Sequence, residues 1–182
     1  MSYCTYCLSL PEDNHHRIYH DHHYGHPIED DNELFERLVL EINQAGLSWD
    51  TILKKQENFR KAFDGFVIER VAAYGEEDRE RLLADPGIIR NRLKVDAAIY
   101  NARKIAEIQK EQGSFKNWIC LHYPRPKEDW VKLFKKNFKF VGGEIVNEFL
   151  QSSGFLPTPH DADCQVFQEI EERKALYNYG QS

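Results

Sequence analysis

The stretch DNELFERLVLEINQAG, residues 31–46, decides the fold class. Its apolar side chains recur every three or four positions, which is the spacing of one face of an α-helix. We predict Asp31 as the N-cap and Gly46 as the stop of this helix. The inward arc contains Leu34, Phe35, Leu38, Val39, Ile42 and Ala45. An amphipathic helix of this kind needs a partner on which to bury its apolar face.

Similar helical patterns follow along most of the chain, and no segment alternates as a strand. The further predicted helices begin at Ser48, near Glu69, near Glu77, after the DPG turn at 85–87, at Ser114 and on both sides of Gly142–Gly143. The first 30 residues show no clean periodicity. We therefore predict an all-α protein in which residues 1–182 form a single compact domain.

Composition narrows the function classes. A formal net charge of -6 argues against a protein that coats nucleic acid by charge alone, although a local basic patch is compatible with it. Four cysteines in 182 residues are too few for a disulfide scaffold, so we expect a reducing, cytoplasmic setting. Because no apolar run is long enough and no secretory signal is visible, we expect no membrane association.

Two distant groups of residues offer metal ligands. Six of the eight histidines lie between His15 and His26, just after Cys4 and Cys7, and the pair His160–Cys164 lies near the other end. A tetrahedral zinc site could use both early cysteines with two nearby histidines. It could instead take one thiolate and one imidazole from each end of the chain. Spacing alone leaves both alternatives open, together with a simply solvated histidine-rich segment.

The stretch WVKLFKKNFKFVGGEIVNEFL, residues 130–150, predicts a helical hairpin with a tight turn at two glycines. Backbone N–H groups at the start of its second helix could hold a phosphate. Lysines 132, 135, 136 and 139 supply local positive charge. An ordinary hairpin with a solvated lysine face is the alternative interpretation.

Four motifs together resemble one known family. AGLSW at 45–49, PGIIRNRLK at 86–94, NAR at 101–103 and FKFVG at 138–142 are similar in order and spacing to 3-methyladenine DNA glycosylase I. The resemblance runs from Cys4 to Cys164. It implies an all-α helix-hairpin-helix glycosylase fold whose two ends are joined by a zinc site.

The resemblance also implies a function. The family hydrolyses the N-glycosidic bond of 3-methyladenine in alkylated DNA and leaves an abasic site. We therefore expect a monofunctional glycosylase without a lyase step, acting as a monomer on double-stranded DNA that contains alkylated bases. Free 3-methyladenine would be the product. A non-catalytic, zinc-stapled protein that binds damaged or flipped bases is the main rival, and a histidine-rich metal-binding protein is a weaker one.

The resemblance also implies which residues bind the zinc ion. The family's zinc ligands match Cys4, His20, His160 and Cys164, so that one structural Zn²⁺ per chain is expected and Cys7 becomes a bystander. Asp161 and Asp163 flank these ligands, and we expect a structural role for them.

The family's pocket glutamate matches Glu41, which is the expected catalytic residue. On a helical wheel Glu41 lies at the edge of the apolar arc, about 20° from Leu34, where a solvated carboxylate would be the ordinary interpretation. The expected substrate-binding residues are Tyr19, Tyr24, Gln44 and Trp49, with Tyr24 standing where the family has a second pocket tryptophan.

The resemblance assigns DNA binding to the hairpin, through Lys136, Lys139, Gly142 and Gly143. The chain departs from the family pattern at Ile42, Asn43, Tyr24 and Asn147. These departures leave stacking of a base in the pocket intact but bear on which base is preferred.

Overall fold

The protein is described by a computed structural model that covers residues 1–177, with side chains through Lys174. In that part of the chain there are eleven α-helices, one 3₁₀ turn at Asp64–Phe66, and no strand. The helices are α1 Tyr3–Leu8, α2 His15–His22, α3 Asp31–Gln44, α4 Trp49–Ala62, α5 Ile68–Ala72, α6 Glu76–Ala84, α7 Arg92–Gln112, α8 Phe115–Leu121, α9 Lys127–Asn137, α10 Gly143–Ser152 and α11 Gln165–Tyr177. The all-α prediction is confirmed.

Side-chain caps begin many of these helices, as the sequence predicts. The Ser48 hydroxyl accepts a hydrogen bond from the Thr51 amide at 3.2 Å, and Ser114 accepts one from the Asn117 amide at 2.9 Å. Each cap satisfies an amide at a helix start that has no partner within the helix. The predicted starts of α4 and α8 are therefore correct.

The predicted cap of α3 is wrong by one residue. Asp30 caps α3, since its carboxylate accepts from the Glu33 amide at 3.0 Å. Asp31 instead accepts from the amides of Phe115 and Lys116, at 2.8 and 3.0 Å. It therefore caps the distant helix α8 and ties the starts of α3 and α8 together.

The α3 helix is the centre of the packing. It contacts α4, α5, α7, α8 and α10, so it is enclosed on most sides. All of its predicted inward residues are buried except the half-buried Ala45. The fully buried aromatic and aliphatic side chains around it include Phe35, Phe59, Phe63, Phe66, Phe115, Phe134 and Phe149.

Two long-range contacts fix the segments on either side of the expected pocket. The buried Lys94 donates from Nζ to the backbone carbonyls of Asn43 and Ala45, at 2.8 and 2.7 Å, and so caps the carboxyl end of α3. Asn101 donates to the Lys139 carbonyl at 3.1 Å and accepts from the Lys139 amide at 2.8 Å. Lys94 of the PGIIRNRLK motif therefore positions the start of the AGLSW segment. Asn101 of the NAR motif positions the FKFVG segment.

The hairpin consists of α9, the turn at residues 138–142 and α10, and its two helices pack on each other. Phe140 has a φ of 58° in the turn, a left-handed conformation that few non-glycine residues adopt. The α10 helix also packs on α3, which brings the hairpin against the expected pocket.

Three helices at the two ends of the chain, α1, α2 and α11, were missed by the sequence prediction. The α1 and α2 helices pack on each other, and Cys4 of α1 packs with Cys164 and with Val166 and Ile170 of α11 in a small second cluster. None of the described helices is both long and apolar enough to cross a membrane.

Candidate functional site

A partly open cavity of about 360 Å³ lies where α3, α4 and α10 meet the chain's first 24 residues, and we call it the central pocket. It is lined by Tyr3, Tyr19, Tyr24, Glu41, Gln44, Trp49, Glu144 and Glu148. The structure thus brings together all five residues expected at a base pocket. Tyr3, Glu144 and Glu148 were not predicted.

Aromatic rings form one wall of the central pocket. The ring centroids of Tyr19 and Trp49 are 5.1 Å apart, and those of Tyr19 and Tyr24 are 5.5 Å apart. Tyr3 meets Tyr24 edge to face at 5.4 Å. The Trp49 indole N–H is buried and has no hydrogen-bond partner among the described residues, so it is a donor available to an occupant or a water molecule.

Glu41 lies at the floor of the pocket and is only 4% exposed. Ser152 on α10 donates a hydrogen bond of 3.3 Å to its Oε1 atom. Arg37, one turn earlier on α3, donates to the Ser152 carbonyl at 2.7 Å and lies 5.3 Å from the centroid of the Tyr19 ring. The carboxyl group is therefore held in place by neighbours on both helices.

Burial raises the pKa of Glu41 to about 8, while Arg37 lowers it and Glu148 raises it further. In the free protein at neutral pH this carboxyl is therefore mostly protonated. Such a carboxyl ionises more readily once a positive charge lies beside it.

The unpredicted carboxylates belong to one face of α10. Glu144, Glu148 and Ser152 are spaced four residues apart, so they lie in a row that runs from the rim of the central pocket down to Glu41. Burial raises the pKa of Glu148, and the nearby Glu144 raises it too. This polar row, with its spacing of four residues, was a sequence signal that could have been found.

Segments near the two ends of the chain meet at a second group of side chains, which could hold a metal ion and which we call the terminal metal centre. Cys4, His20, His160 and Cys164 are all buried, and one ligand atom from each lies within 4.8 Å of the others. These are the four residues that the resemblance implied. Cys7 is buried elsewhere, with its thiol 3.6 Å from the His16 carbonyl, so the alternative that uses both early cysteines is not assembled.

The spacing of these four side chains fits a tetrahedral metal ion. The Cys4 Sγ atom is 3.5 Å from His160 Nδ1, and Cys164 Sγ is 3.7 Å from His20 Nε2. Sulfur and nitrogen ligands at ordinary zinc distances are about 3.5 Å apart at a tetrahedral angle. Burial raises the pKa of Cys4 to about 11, so a cation is what would hold this thiol as a thiolate at neutral pH.

In His20 and His160 the ring nitrogen that faces away from the metal position also has a hydrogen-bond partner. His20 Nδ1 lies 2.6 Å from a carboxylate oxygen of Asp21, and His160 Nε2 lies 2.7 Å from the Tyr24 carbonyl. Each ring therefore donates to an oxygen while its other nitrogen faces the metal position, as metal-binding histidines usually do. Through Tyr24 the terminal metal centre also supports the wall of the central pocket.

Known proteins share this sequence and fold. The sequence pattern of the methyladenine glycosylases matches residues 9–129. The chain is 37% identical to DNA-3-methyladenine glycosylase 1 of Escherichia coli (strain K12), with 87% of this chain and 94% of that protein covered. The chain belongs to the methyladenine glycosylase family.

Two further methyladenine glycosylases extend the comparison. DNA-3-methyladenine glycosylase of Haemophilus influenzae is 33% identical, with 88% of this chain and 96% of that protein covered. The crystal structure of a tyrosine-to-phenylalanine variant of a 3-methyladenine DNA glycosylase I in complex with 3-methyladenine superposes with a TM-score of 0.80 at 32% identity. That match covers 91% of this chain and 97% of the other, and it confirms the predicted glycosylase fold.

The departures from the family pattern fall mostly outside the central pocket. Ile42 is buried in the main core, and the Asn43 side chain donates to a backbone carbonyl of its own helix at 2.8 Å. Asn147 donates to Gln151 at 3.0 Å. Only Tyr24 is among the lining residues, so it is the one departure that directly shapes the space for a base.

The hairpin of this methyladenine glycosylase places the expected DNA-binding residues at one end. Lys136 and Lys139 are exposed, with the Lys139 ammonium 5.0 Å from the centroid of the Tyr100 ring. Gly142 and Gly143 form the N-cap and first residue of α10. Glu144 adds a negative charge to the same turn, where it pairs with Lys127 at 3.4 Å.

The two aspartates beside the terminal metal centre lie away from the central pocket. Asp161 accepts a hydrogen bond from the Ser2 hydroxyl, and its amide donates to Cys4 Sγ at 3.4 Å. Asp163 is exposed. Neither is among the lining residues of the pocket, which agrees with the structural role expected for them.

Proposed function

We propose that this protein is a DNA glycosylase that hydrolyses the N-glycosidic bond of 3-methyladenine in alkylated DNA and leaves an abasic site. The observation that carries the proposal is the partly open central pocket, which the buried Glu41 lines together with aromatic rings. The relatives' names state the same activity, and one related structure contains 3-methyladenine.

Shape and charge of the central pocket favour a flat cation. A 3-methylated adenine in DNA is flat and positively charged, and it must leave the duplex stack to be reached. Trp49 would stack on the flipped base with a cation–π attraction of about 0.5–2 kcal/mol. Tyr19 and Gln44 offer further polar contacts.

Glu41 would respond to the base by losing its proton. The arriving positive charge lowers the pKa of a carboxyl that burial holds near 8, so the carboxylate forms against the cation. A neutral adenine offers no such gain and would leave Glu41 protonated. Selection by charge therefore occurs in the pocket itself, and Glu148 in the wall strengthens the negative potential.

Hydrolysis would require little acid catalysis from the protein, because the methylated base already carries the positive charge that protonation by a general acid would supply. The base departs neutral, and water attacks the sugar carbon from the DNA side. No lysine is among the eight described residues that line the pocket, and a lysine amine is what a Schiff base with the sugar would need. This supports a monofunctional enzyme without a lyase step.

The terminal metal centre would hold one structural Zn²⁺. Two thiolates and two imidazoles fill a tetrahedral ion and leave no position for water, so the metal would join the chain ends rather than take part in the reaction. We assign duplex binding to the hairpin through Lys136, Lys139 and the amides near Gly142 and Gly143.

We further propose a monomer in which residues 1–182 form one domain, because most buried apolar residues described belong to one continuous core. The four cysteines described are unpaired, which suits a reducing compartment, and we place the protein in the cytoplasm.

The experiment is base release from methylated duplex DNA, resolved by chromatography, with unmethylated duplex as the control. We expect free 3-methyladenine and abasic sites that remain uncleaved until alkali is added. Tight binding to alkylated or abasic DNA without any released base would contradict the proposal and favour the non-catalytic damage-binding alternative. Strand cleavage without alkali would contradict the monofunctional assignment.

A further inference from the structure

His15, His16 and Asp50 form a second cluster of metal-binding side chains, separate from the terminal metal centre. The two histidines begin α2 and Asp50 lies in the first turn of α4, so the packing of these helices creates the cluster. One ligand atom from each residue lies within 4.8 Å of the others. We propose that His15, His16 and Asp50 bind a divalent transition-metal ion at an open site.

The distances among the three ligand atoms suit a shared ion. Asp50 Oδ1 is 2.7 Å from His15 Nε2 and 3.3 Å from His16 Nε2. Nitrogen and oxygen ligands about 2.1 Å from a metal are about 3.0 Å apart when they meet at a right angle. His15 and Asp50 are half-buried and His16 is buried, so small rotations of the first two side chains against a fixed His16 ring would admit the ion.

The ring of His16 is already oriented for coordination. Its Nδ1 atom is 3.0 Å from the Tyr3 hydroxyl oxygen, so a metal on Nε2 would leave an N–H on Nδ1 to donate to Tyr3. Burial lowers the pKa of His16, which favours the neutral ring. Hydrogen bonds from Lys54 and His15 lower the pKa of Asp50 to about 2, which keeps it a carboxylate.

Two imidazoles and one carboxylate define the class of ion. This donor set suits Zn²⁺, Ni²⁺, Co²⁺ or Fe²⁺, whereas Mg²⁺ and Ca²⁺ prefer oxygen ligands alone. The side chains of His15 and Asp50 are 34% and 40% exposed, so an ion would keep water in its remaining positions. The site differs in this respect from the buried terminal metal centre.

Lys54 competes for the same carboxylate. Its ammonium is 2.7 Å from Asp50 Oδ2, and its side chain is 61% exposed and free to swing away. An ion must displace or tolerate this charge. Removal of the Lys54 charge should strengthen metal binding, which an ion-pair cluster without a metal function would not predict.

The open site borders the central pocket but does not depend on the proposed function. Asp50 follows Trp49 in the chain, and Tyr3 contacts His16 while also lining the pocket. Metal binding can therefore be measured on the isolated protein, without DNA.

The test is equilibrium dialysis of the purified full chain against Ni²⁺, with nickel and zinc counted separately by atomic emission. We expect one nickel per chain in the wild type. Asp50→Asn and His15→Ala should weaken nickel binding at least tenfold, and Lys54→Ala should strengthen it several-fold. Two matched controls should bind like the wild type: His22→Ala, an exposed histidine of the same helix, and Lys61→Ala, an exposed lysine of α4.

Three results would overturn the inference. The first is no bound nickel in the wild type or in Lys54→Ala. The second is equal nickel binding by wild type, His15→Ala and Asp50→Asn. The third is a thiolate-to-nickel charge-transfer band that accounts for all bound nickel, which would place the ion at cysteines. Circular dichroism shows whether His15→Ala and Asp50→Asn fold. If either does not, the stronger nickel binding expected in Lys54→Ala still tests the inference.

Discussion

Glu41 is a carboxyl group placed where water cannot stabilise its charge. Among the described residues only the Ser152 hydroxyl donates to it directly, and Arg37 acts on it through space. A buried acid of this kind usually costs stability once it is forced to ionise. In the proposed function the same property makes Glu41 responsive to a cationic base.

This environment predicts a pH-dependent stability difference between wild type and Glu41→Gln. The pKa of Glu41 is raised to about 8 in the folded protein against an ordinary value near 4.5, so the folded state binds the proton more tightly. That contribution is complete below about pH 4.5 and is lost as pH rises through about 8. We expect Glu41→Gln to gain about 2–5 kcal/mol relative to wild type between pH 5 and pH 9.

Urea unfolding at pH 5, 7 and 9 measures this difference. The exposed Glu77→Gln on α6 is the matched control and should show no such trend. A constant difference between Glu41→Gln and wild type across the pH range would contradict the raised pKa.

At the residue scale the sequence identified Glu41 but not its setting. The position of Glu41 at the edge of an apolar arc, together with the resemblance, was enough to select it. Tyr3 and Glu148 reach the same pocket, and Ser152 reaches the Glu41 carboxyl, from segments more than 30 residues away, so no local pattern connects them with Glu41. Only the spacing of four residues along α10 hinted that these polar groups share a face.

The turn of the hairpin carries part of the proposed DNA-binding surface. The side chain of Asn101 holds the Lys139 backbone through two hydrogen bonds, and Lys139 itself lies beside Tyr100. The geometry of the turn is therefore set by α7 rather than by the hairpin alone.

The hairpin assignment predicts a change in salt dependence. Lys136→Ala or Lys139→Ala should weaken binding to damaged and undamaged duplex alike, because phosphate contacts do not read the base. The slope of log affinity against log salt should flatten by up to about 0.9 for each lysine–phosphate interaction that the substitution removes. Fluorescence anisotropy across a salt titration measures this, with the exposed Lys110→Ala on α7 as the control. Wild-type slopes in both hairpin variants would contradict the assignment.

Asn101→Ala tests the support of the turn separately. The substitution leaves the amide and carbonyl of Lys139 without their partner, and we expect a decrease of about 1–3 kcal/mol in the free energy of unfolding. Duplex binding should weaken as well, while the metal content stays unchanged. Wild-type stability and binding in this variant, measured by urea unfolding and anisotropy, would show that the turn does not need α7.

Among the helices, those with an apolar face were predictable and those without one were not. The α3, α4 and α7 helices bury regular rows of apolar residues, so their periodicity is strong. The α1 helix has six residues, and α2 directs two buried histidines and a tyrosine inward instead of aliphatic side chains. The terminal helices α1, α2 and α11 are organised by contacts across more than 100 residues, which no periodicity can register.

Across the whole molecule the terminal metal centre joins the first and last described segments. The contact between Cys4 and His160 joins two residues that are 156 positions apart, in segments that often fray in proteins. His160 also contacts the Tyr24 carbonyl, so the same group of side chains supports the wall of the central pocket. The sequence offered two ways to group the cysteines and histidines, and spacing could not choose between them. The fold settles which side chains meet, because it brings His20 and not Cys7 to the distant pair.

Cys164→Ser should remove the metal and loosen both ends. We expect loss of one zinc per chain by atomic emission and a fall in Tm of more than about 5 °C, since the remaining three ligands bind weakly. Cys120→Ser, a cysteine outside the centre, is the matched control. Unchanged zinc in Cys164→Ser, with loss of zinc in Cys7→Ser, would contradict the ligand assignment.

The most direct test of the central claim is single-turnover release of 3-methyladenine from alkylated duplex by wild type and Glu41→Gln. At about 4 Å and an effective dielectric near 20, a carboxylate attracts the cationic base by about 4 kcal/mol before desolvation. If about half remains, the rate of Glu41→Gln should fall about 10–100-fold. Glu144→Gln, at the exposed rim of the same pocket, should stay within a few-fold of wild type. Equal rates for Glu41→Gln and wild type would contradict the assignment of Glu41 as the residue that selects the base.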